Sequence, residues 1–124
     1  MIDHLSIQCD DLAASAAFYD AVLAPLGGRR LRDFGDVIGY GVDFPTFWLG
    51  GHETGGAQRE VHIAFTAPSR EAVHAFRDVA IGLGAEVLHD AKVWPEYHEG
   101  YYGVFVRDPD GNNVEAVHHM FTPT

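Results

Sequence analysis

The chain has 124 residues and 13.6 kDa, room for one domain or two closely packed halves but not for separate cofactor and substrate lobes. Hydrophobic residues at 47% and charged residues at 21% describe a globular protein, and 18 acidic against 8 basic side chains give a net charge of −10 that repels phosphate backbones and anionic lipid. No apolar run approaches the ~20 residues of a bilayer span, no basic-then-apolar leader opens the chain, and a single cysteine, Cys9, cannot form an internal disulfide; the expectation is a soluble cytoplasmic protein with no nucleic-acid or membrane partner.

The first predicted element is a half-buried strand, in which Leu5, Ile7 and Cys9 alternate with His4, Ser6 and Gln8. Asp10-Asp11 then caps a helix whose buried stripe is Leu12, Ala16, Tyr19 and Leu23, ended by Pro25 and Gly27-Gly28. Short β-prone runs follow at 29–34, 38–42 and 46–49. A glycine-rich polar stretch reads as a linker, and then the pattern starts again. Val61-His62-Ile63-Ala64-Phe65 repeats the opening strand, and Ser69 caps a helix with Ala72, Val73, Phe76, Val79, Ala80 and Leu83 inward, closed by Gly84. His62 and Phe76 stand as far into this second pattern as His4 and Phe18 into the first. Further strands are expected at 86–91, 101–107 and 113–118, the last two joined by the turn Asp108-Pro109-Asp110-Gly111. The fold class is therefore α+β: two tandem βαβββ modules forming a curved mixed sheet around a cleft. One domain covers 1–124, with repeat one at about 1–50, a linker at about 51–59 and repeat two at about 60–120.

Chemistry is suggested by three side chains. His4 and His62 occupy equivalent positions on the strand faces turned away from the helices, and Glu115 interrupts the apolar run Asn113-Val114-Glu115-Ala116-Val117. A carboxylate buried in a sheet costs several kcal/mol unless it is paired or binds a cation. Two imidazoles and one carboxylate form an open site suited to a catalytic divalent metal ion, with Fe, Mn, Zn, Ni and Co all compatible. Taken singly, each of the three also fits an ordinary strand residue; their symmetry favours the site. Just before a strand expected to border the cleft, His98, Tyr101 and Tyr102 are candidate catalytic groups that donate a proton to, or orient, a bound oxygen. Phe47, Trp48 and Trp94 are candidate substrate-pocket walls. His52, His74, His89, His118 and His119 have no symmetric partner and read as surface groups, and Arg29, Arg30 and Arg32 read as a solvated strand edge or an anion contact.

With Ile2-Asp3-His4-Leu5, Ala17-Phe18-Tyr19-Asp20 leading to Leu26-Gly27, Val61-His62-Ile63-Ala64-Phe65 and Asp108-Pro109-Asp110-Gly111-Asn112-Asn113-Val114-Glu115, the sequence resembles the vicinal oxygen chelate superfamily, the group of glyoxalases, extradiol dioxygenases and bleomycin-resistance proteins. The resemblance spans nearly the whole chain. It implies metal ligation by His4, His62 and Glu115, a small-molecule substrate chelated through adjacent oxygens, lyase, isomerase or dioxygenase chemistry, and a homodimer. It also implies an alternative, a metal-free small-molecule binder of the bleomycin-resistance type. Glyoxalase I adds a carboxylate ligand in the last strand of the first repeat; the matching stretch here is Phe47-Trp48-Leu49, so its four-ligand site is not reproduced. A purely structural or regulatory domain has no positive feature in its favour.

Overall fold

The computed structural model describes residues 1–51 and 56–120. In chain order it contains β1 (Leu5–Gln8), α1 (Leu12–Leu23), one 3-10 turn (Ala24–Leu26), β2 (Arg29–Asp33), β3 (Val37–Gly41) and β4 (Pro45–Gly50). The pattern then recurs as β5 (His62–Thr66), α2 (Arg70–Gly82), β6 (Val87–Val93), β7 (Tyr101–Arg107) and β8 (Asn113–His119). This is the α+β architecture of two tandem βαβββ modules, its strands divided between two four-stranded mixed sheets ordered β1-β4-β3-β2 and β5-β8-β7-β6. The first and last strands of each module pair in parallel, and the other pairs are antiparallel. Part of the expected linker, residues 52–55 with His52, lies outside the described residues.

Local chemistry sets the helix ends. The Asp11 side chain accepts from the Ala14 amide at 3.0 Å, and Ser69 Oγ accepts from the Ala72 amide at 3.0 Å, each satisfying a donor that the first turn leaves orphaned. Gly27 and Gly84 sit at φ +86° and +80°, where a side chain would be strained, and turn the chain back towards its sheet. Both helices feed one core: Ala16, Tyr19, Val22 and Leu23 from α1, and Val73, Phe76 and Ala80 from α2, close on Tyr40, Leu49, Val104, Val114 and Ala116 of the strands. Leu83, expected inward, is 50% exposed because it follows the last turn of α2, where the chain swings away at Gly84.

The modules are also clasped by polar groups. Tyr19 of α1 donates to Asp108 Oδ2 at 2.6 Å, and Asp110 accepts from the Asp10 amide and from Ser15 Oγ. The β7–β8 turn of one module is thus bound to the start of the other module's helix. Two consequences bear on the site. Each sheet has a helix-covered face, so strand alternation sends every second side chain of β5, β7 and β8 to the opposite face. The strands β1 and β5 each end a different sheet, so among the described residues their outer edges are unpaired. Among the described residues no helix is long and apolar enough to cross a membrane.

Candidate functional site

Alternation along β8 buries Val114 and Ala116 beneath α2 and turns Glu115 to the other face, yet Glu115 is only 1% exposed. Its carboxylate is enclosed by side chains of the neighbouring strands. His62, at the start of β5, places Nε2 2.9 Å from Glu115 Oε1. Tyr101, at the start of β7, donates its hydroxyl to Glu115 Oε2. Gly103 makes room for the pair: a Cβ there would lie 3.0 Å from Glu115 Oε2 and 3.3 Å from the Tyr101 ring. Burial, then the hydrogen bond to Glu115 and its negative charge, push the Tyr101 phenol above its usual pKa, so its proton stays between the two oxygens at neutral pH. The His62 side chain is 52% exposed and forms the solvent side of the site.

One wall is aromatic. Phe105 lies opposite Glu115 in the β7–β8 register, and its ring centroid is 5.8 Å from that of His62. Trp94 and His89 pack edge-on against Phe105 at 5.3 and 5.6 Å, Tyr97 stacks on Trp94 at 5.8 Å, and the Lys92 ammonium rests 4.1 Å over the Trp94 ring. Trp94 is anchored by its indole N–H, which donates to the Gly103 carbonyl at 3.0 Å.

The donor set suits a cation. Ligands ~2.1 Å from one ion and at right angles to each other are about 3 Å apart, so the 2.9 Å between His62 Nε2 and Glu115 Oε1 serves equally as a hydrogen bond or as two neighbouring ligand atoms. His4 is not with them. Its side chain is 58% exposed and its Nδ1 meets Asp3 Oδ1 at 2.7 Å. Among the described residues no three His, Cys, Asp or Glu side chains are gathered to hold an ion. The expectation that His4, His62 and Glu115 converge within one chain is therefore corrected, and the reason is topological: β1 and β5 belong to separate sheets and do not pair with each other.

The other candidates divide by strand parity. Tyr101 and Trp94 reach the site, whereas Tyr102 faces α2, with its hydroxyl 2.5 Å from His74 Nε2 and Arg70 over its ring. Phe47 is a core residue between Tyr19 and Phe65, lining an apolar pocket with Leu23 and Tyr40. Trp48 faces the other way. It pairs with Ser6 as Glu115 pairs with Ala64, so an indole occupies in the first module the register position of the carboxylate in the second. It lies flat over Gly39, where a Cβ would come within 2.8 Å, and stacks on Phe34 at 6.1 Å. His98 stands behind Tyr101, paired with His119. His89, His119 and Gly103 surround the site although the sequence did not mark them; the available signal was the parity of His119 with Glu115 and of Gly103 with Tyr101. Arg30, in the basic cluster, is engaged by Asp20 and Asp33.

Comparison with known proteins bears on the whole chain. The model of the Glyoxalase/Bleomycin resistance protein/Dioxygenase superfamily matches residues 1–116. A glyoxalase/bleomycin resistance protein from Albidiferax ferrireducens T118 superposes with a TM-score of 0.80 at 26% identity, over 94% of this chain and 97% of that one. The lactoylglutathione lyase of Agrobacterium tumefaciens gives a TM-score of 0.68 at 26% identity, over 95% and 92%. A glyoxalase/bleomycin resistance protein/dioxygenase family enzyme from Burkholderia phytofirmans PsJN, at 20% identity and a TM-score of 0.75 over 96% and 98%, shares the fold. No curated protein matches the sequence.

Proposed function

We propose a function that follows from one fact: the chain belongs to the glyoxalase/bleomycin resistance protein/dioxygenase superfamily. The protein is a divalent-metal-dependent enzyme acting on a small molecule that presents two adjacent oxygens, with lyase, isomerase or dioxygenase chemistry. The observation that carries this reading is Glu115, a carboxylate 1% exposed whose oxygens meet His62 and Tyr101 and, among the described residues, no lysine or arginine. Burying it costs several kcal/mol, and hydrogen bonds to one half-exposed imidazole and one phenol offset that only in part. A cation held there would supply the remainder, together with Lewis-acid polarisation of the substrate oxygens.

His62 and Glu115 would hold the ion, joined by His4 of a second copy. Support for the second copy comes from the strand edges. Because β1 and β5 are equivalent edges of two sheets, a twofold pairing of β1 in one chain with β5 in another would put His4 and His62, equivalent positions of the two modules, along one seam. The same pairing covers Ile2, Leu5 and Val61, which are 75%, 43% and 39% exposed. With a cation at its Nε2, His62 would ligate as the neutral ring that carries its proton on Nδ1. Tyr101 keeps its own proton on Glu115 Oε2, and Phe105, Trp94 and His89 shield one side of the site from water.

The test is metal analysis of protein reconstituted separately with iron(II), manganese, zinc, nickel and cobalt. About one ion per chain is expected for at least one metal, falling to background in His4→Ala, His62→Ala and Glu115→Ala proteins that keep the parent circular dichroism. A parent that retains none of the five overturns the reading and favours a metal-free binder.

A further inference from the structure

His98 precedes β7 and His119 ends β8, yet their rings stack at 5.0 Å with 19° between the planes, and His98 Nε2 lies 2.9 Å from His119 Nδ1. The direction of this hydrogen bond follows from its neighbours. His98 Nδ1 is 2.7 Å from the Glu99 carbonyl oxygen, which can only accept, so Nδ1 carries a proton. In the neutral ring Nε2 is then an acceptor, and His119 Nδ1 donates to it. The two imidazoles form one unit. Tyr101 meets both edge-on, with centroids 5.3 and 5.2 Å away, and Tyr97 packs against it at 4.9 Å. A ring held on these sides has its hydroxyl aimed in one direction, at Glu115 Oε2.

We propose that His98 and His119 are positioning residues that hold Tyr101 on Glu115 Oε2, so that Glu115 offers a cation Oε1 alone; this rests on the metal reading above. The consequence falls on the substrate. A carboxylate that ligates through both oxygens takes two places around an ion, and one that ligates through a single oxygen leaves the second place open. With two imidazoles and one carboxylate oxygen as ligands, a five-coordinate ion would keep two places for the adjacent oxygens of a small chelating molecule and a six-coordinate ion a third besides, whereas a second carboxylate oxygen would take one of them away. The histidine pair thus preserves substrate access without touching substrate. Donation from Tyr101 also draws charge from the carboxylate, so releasing Glu115 tightens its hold on a cation while closing the second place.

The experiment separates those two effects. Parent, His119→Phe, His119→Asn and Tyr101→Phe proteins are titrated with cobalt(II), and the loaded proteins are then titrated with acetohydroxamate, a small chelator that binds through two neighbouring oxygens. In His119→Phe and Tyr101→Phe, cobalt affinity equals or exceeds that of the parent while acetohydroxamate affinity falls about tenfold, the scale of effects transmitted through a ligand's hydrogen-bond partner. His119→Asn places an amide N–H where the imidazole Nδ1–H stood, keeps the donation to His98, and recovers most of the loss. Unchanged acetohydroxamate affinity in both phenylalanine variants, or loss of cobalt and acetohydroxamate in parallel, overturns the proposal. If His119→Phe fails to fold, His98→Phe, which breaks the same imidazole pair from its other side, is read in its place, with Tyr101→Phe giving the size of the full loss. A parent that takes up no cobalt or any other ion overturns the metal reading and this inference with it.

Discussion

Tyr19 is fully buried, with its hydroxyl 2.6 Å from Asp108, and Cys9 is 6% exposed. Burial pushes the Cys9 thiol from 9.0 up to about 11. Burial, followed by the Asp108 charge and the hydrogen bond to it, raises the Tyr19 phenol well above its ordinary 10.0. Both groups hold their protons more tightly folded than unfolded. The stability they contribute is therefore complete below the unfolded values of 9.0 and 10.0 and is lost as pH rises beyond them. The unfolding temperature should fall steeply above about pH 9, and Tyr19→Phe, although it costs about 1 kcal/mol at neutral pH, should flatten the fall above about pH 10. A variant that loses stability as steeply as the parent would show that Tyr19 is not the group responsible. At this scale the sequence was informative about some side chains and silent about others. Glu115 stood out because a carboxylate within an apolar strand run requires a partner. His119 did not, because its meaning lies in His98, which only the pairing of β7 with β8 brings beside it.

Strand parity explains which element-scale expectations held. The period-2 pattern of β5 and β8 correctly sends His62 and Glu115 to the helix-free face. Adjacent residues of one strand must point oppositely, so Tyr101 and Tyr102 could not both reach the site, nor could Phe47 and Trp48. The turn between β7 and β8 was legible as a turn from its proline and glycine, but its second use was not. Asp108 accepts from the Asp110 amide, from the Asn112 amide and Nδ2, and from Tyr19 of the other module. Asp108→Ala leaves these donors without an acceptor in a buried turn and should cost about 3 kcal/mol or more. Urea denaturation measures this directly, and a loss below about 1 kcal/mol would mean that the clasp is not structural.

At the scale of the whole molecule, the repeat read from His4, His62, Phe18 and Phe76 describes the architecture well, and the family assignment agrees with it. Which halves face each other was beyond the sequence. The same βαβββ patterns serve whether β1 meets β5 in its own chain or in another, because the hydrophobic alternation of each edge strand is identical in the two cases. Here the two sheets are joined through α1, α2 and the Asp108 turn, and β1 and β5 are edge strands of their sheets. The central claim is that His4 of one chain serves the His62 and Glu115 of its partner. Subunit mixing tests it most directly: His4→Ala and His62→Ala proteins, each unable to hold cobalt, are dissociated together and allowed to reassociate. If the site is shared, each mixed dimer contains one intact set of ligands, and random reassociation restores about one quarter of the parent cobalt. Cobalt that stays at background in mixtures shown to contain the mixed dimer would contradict the account.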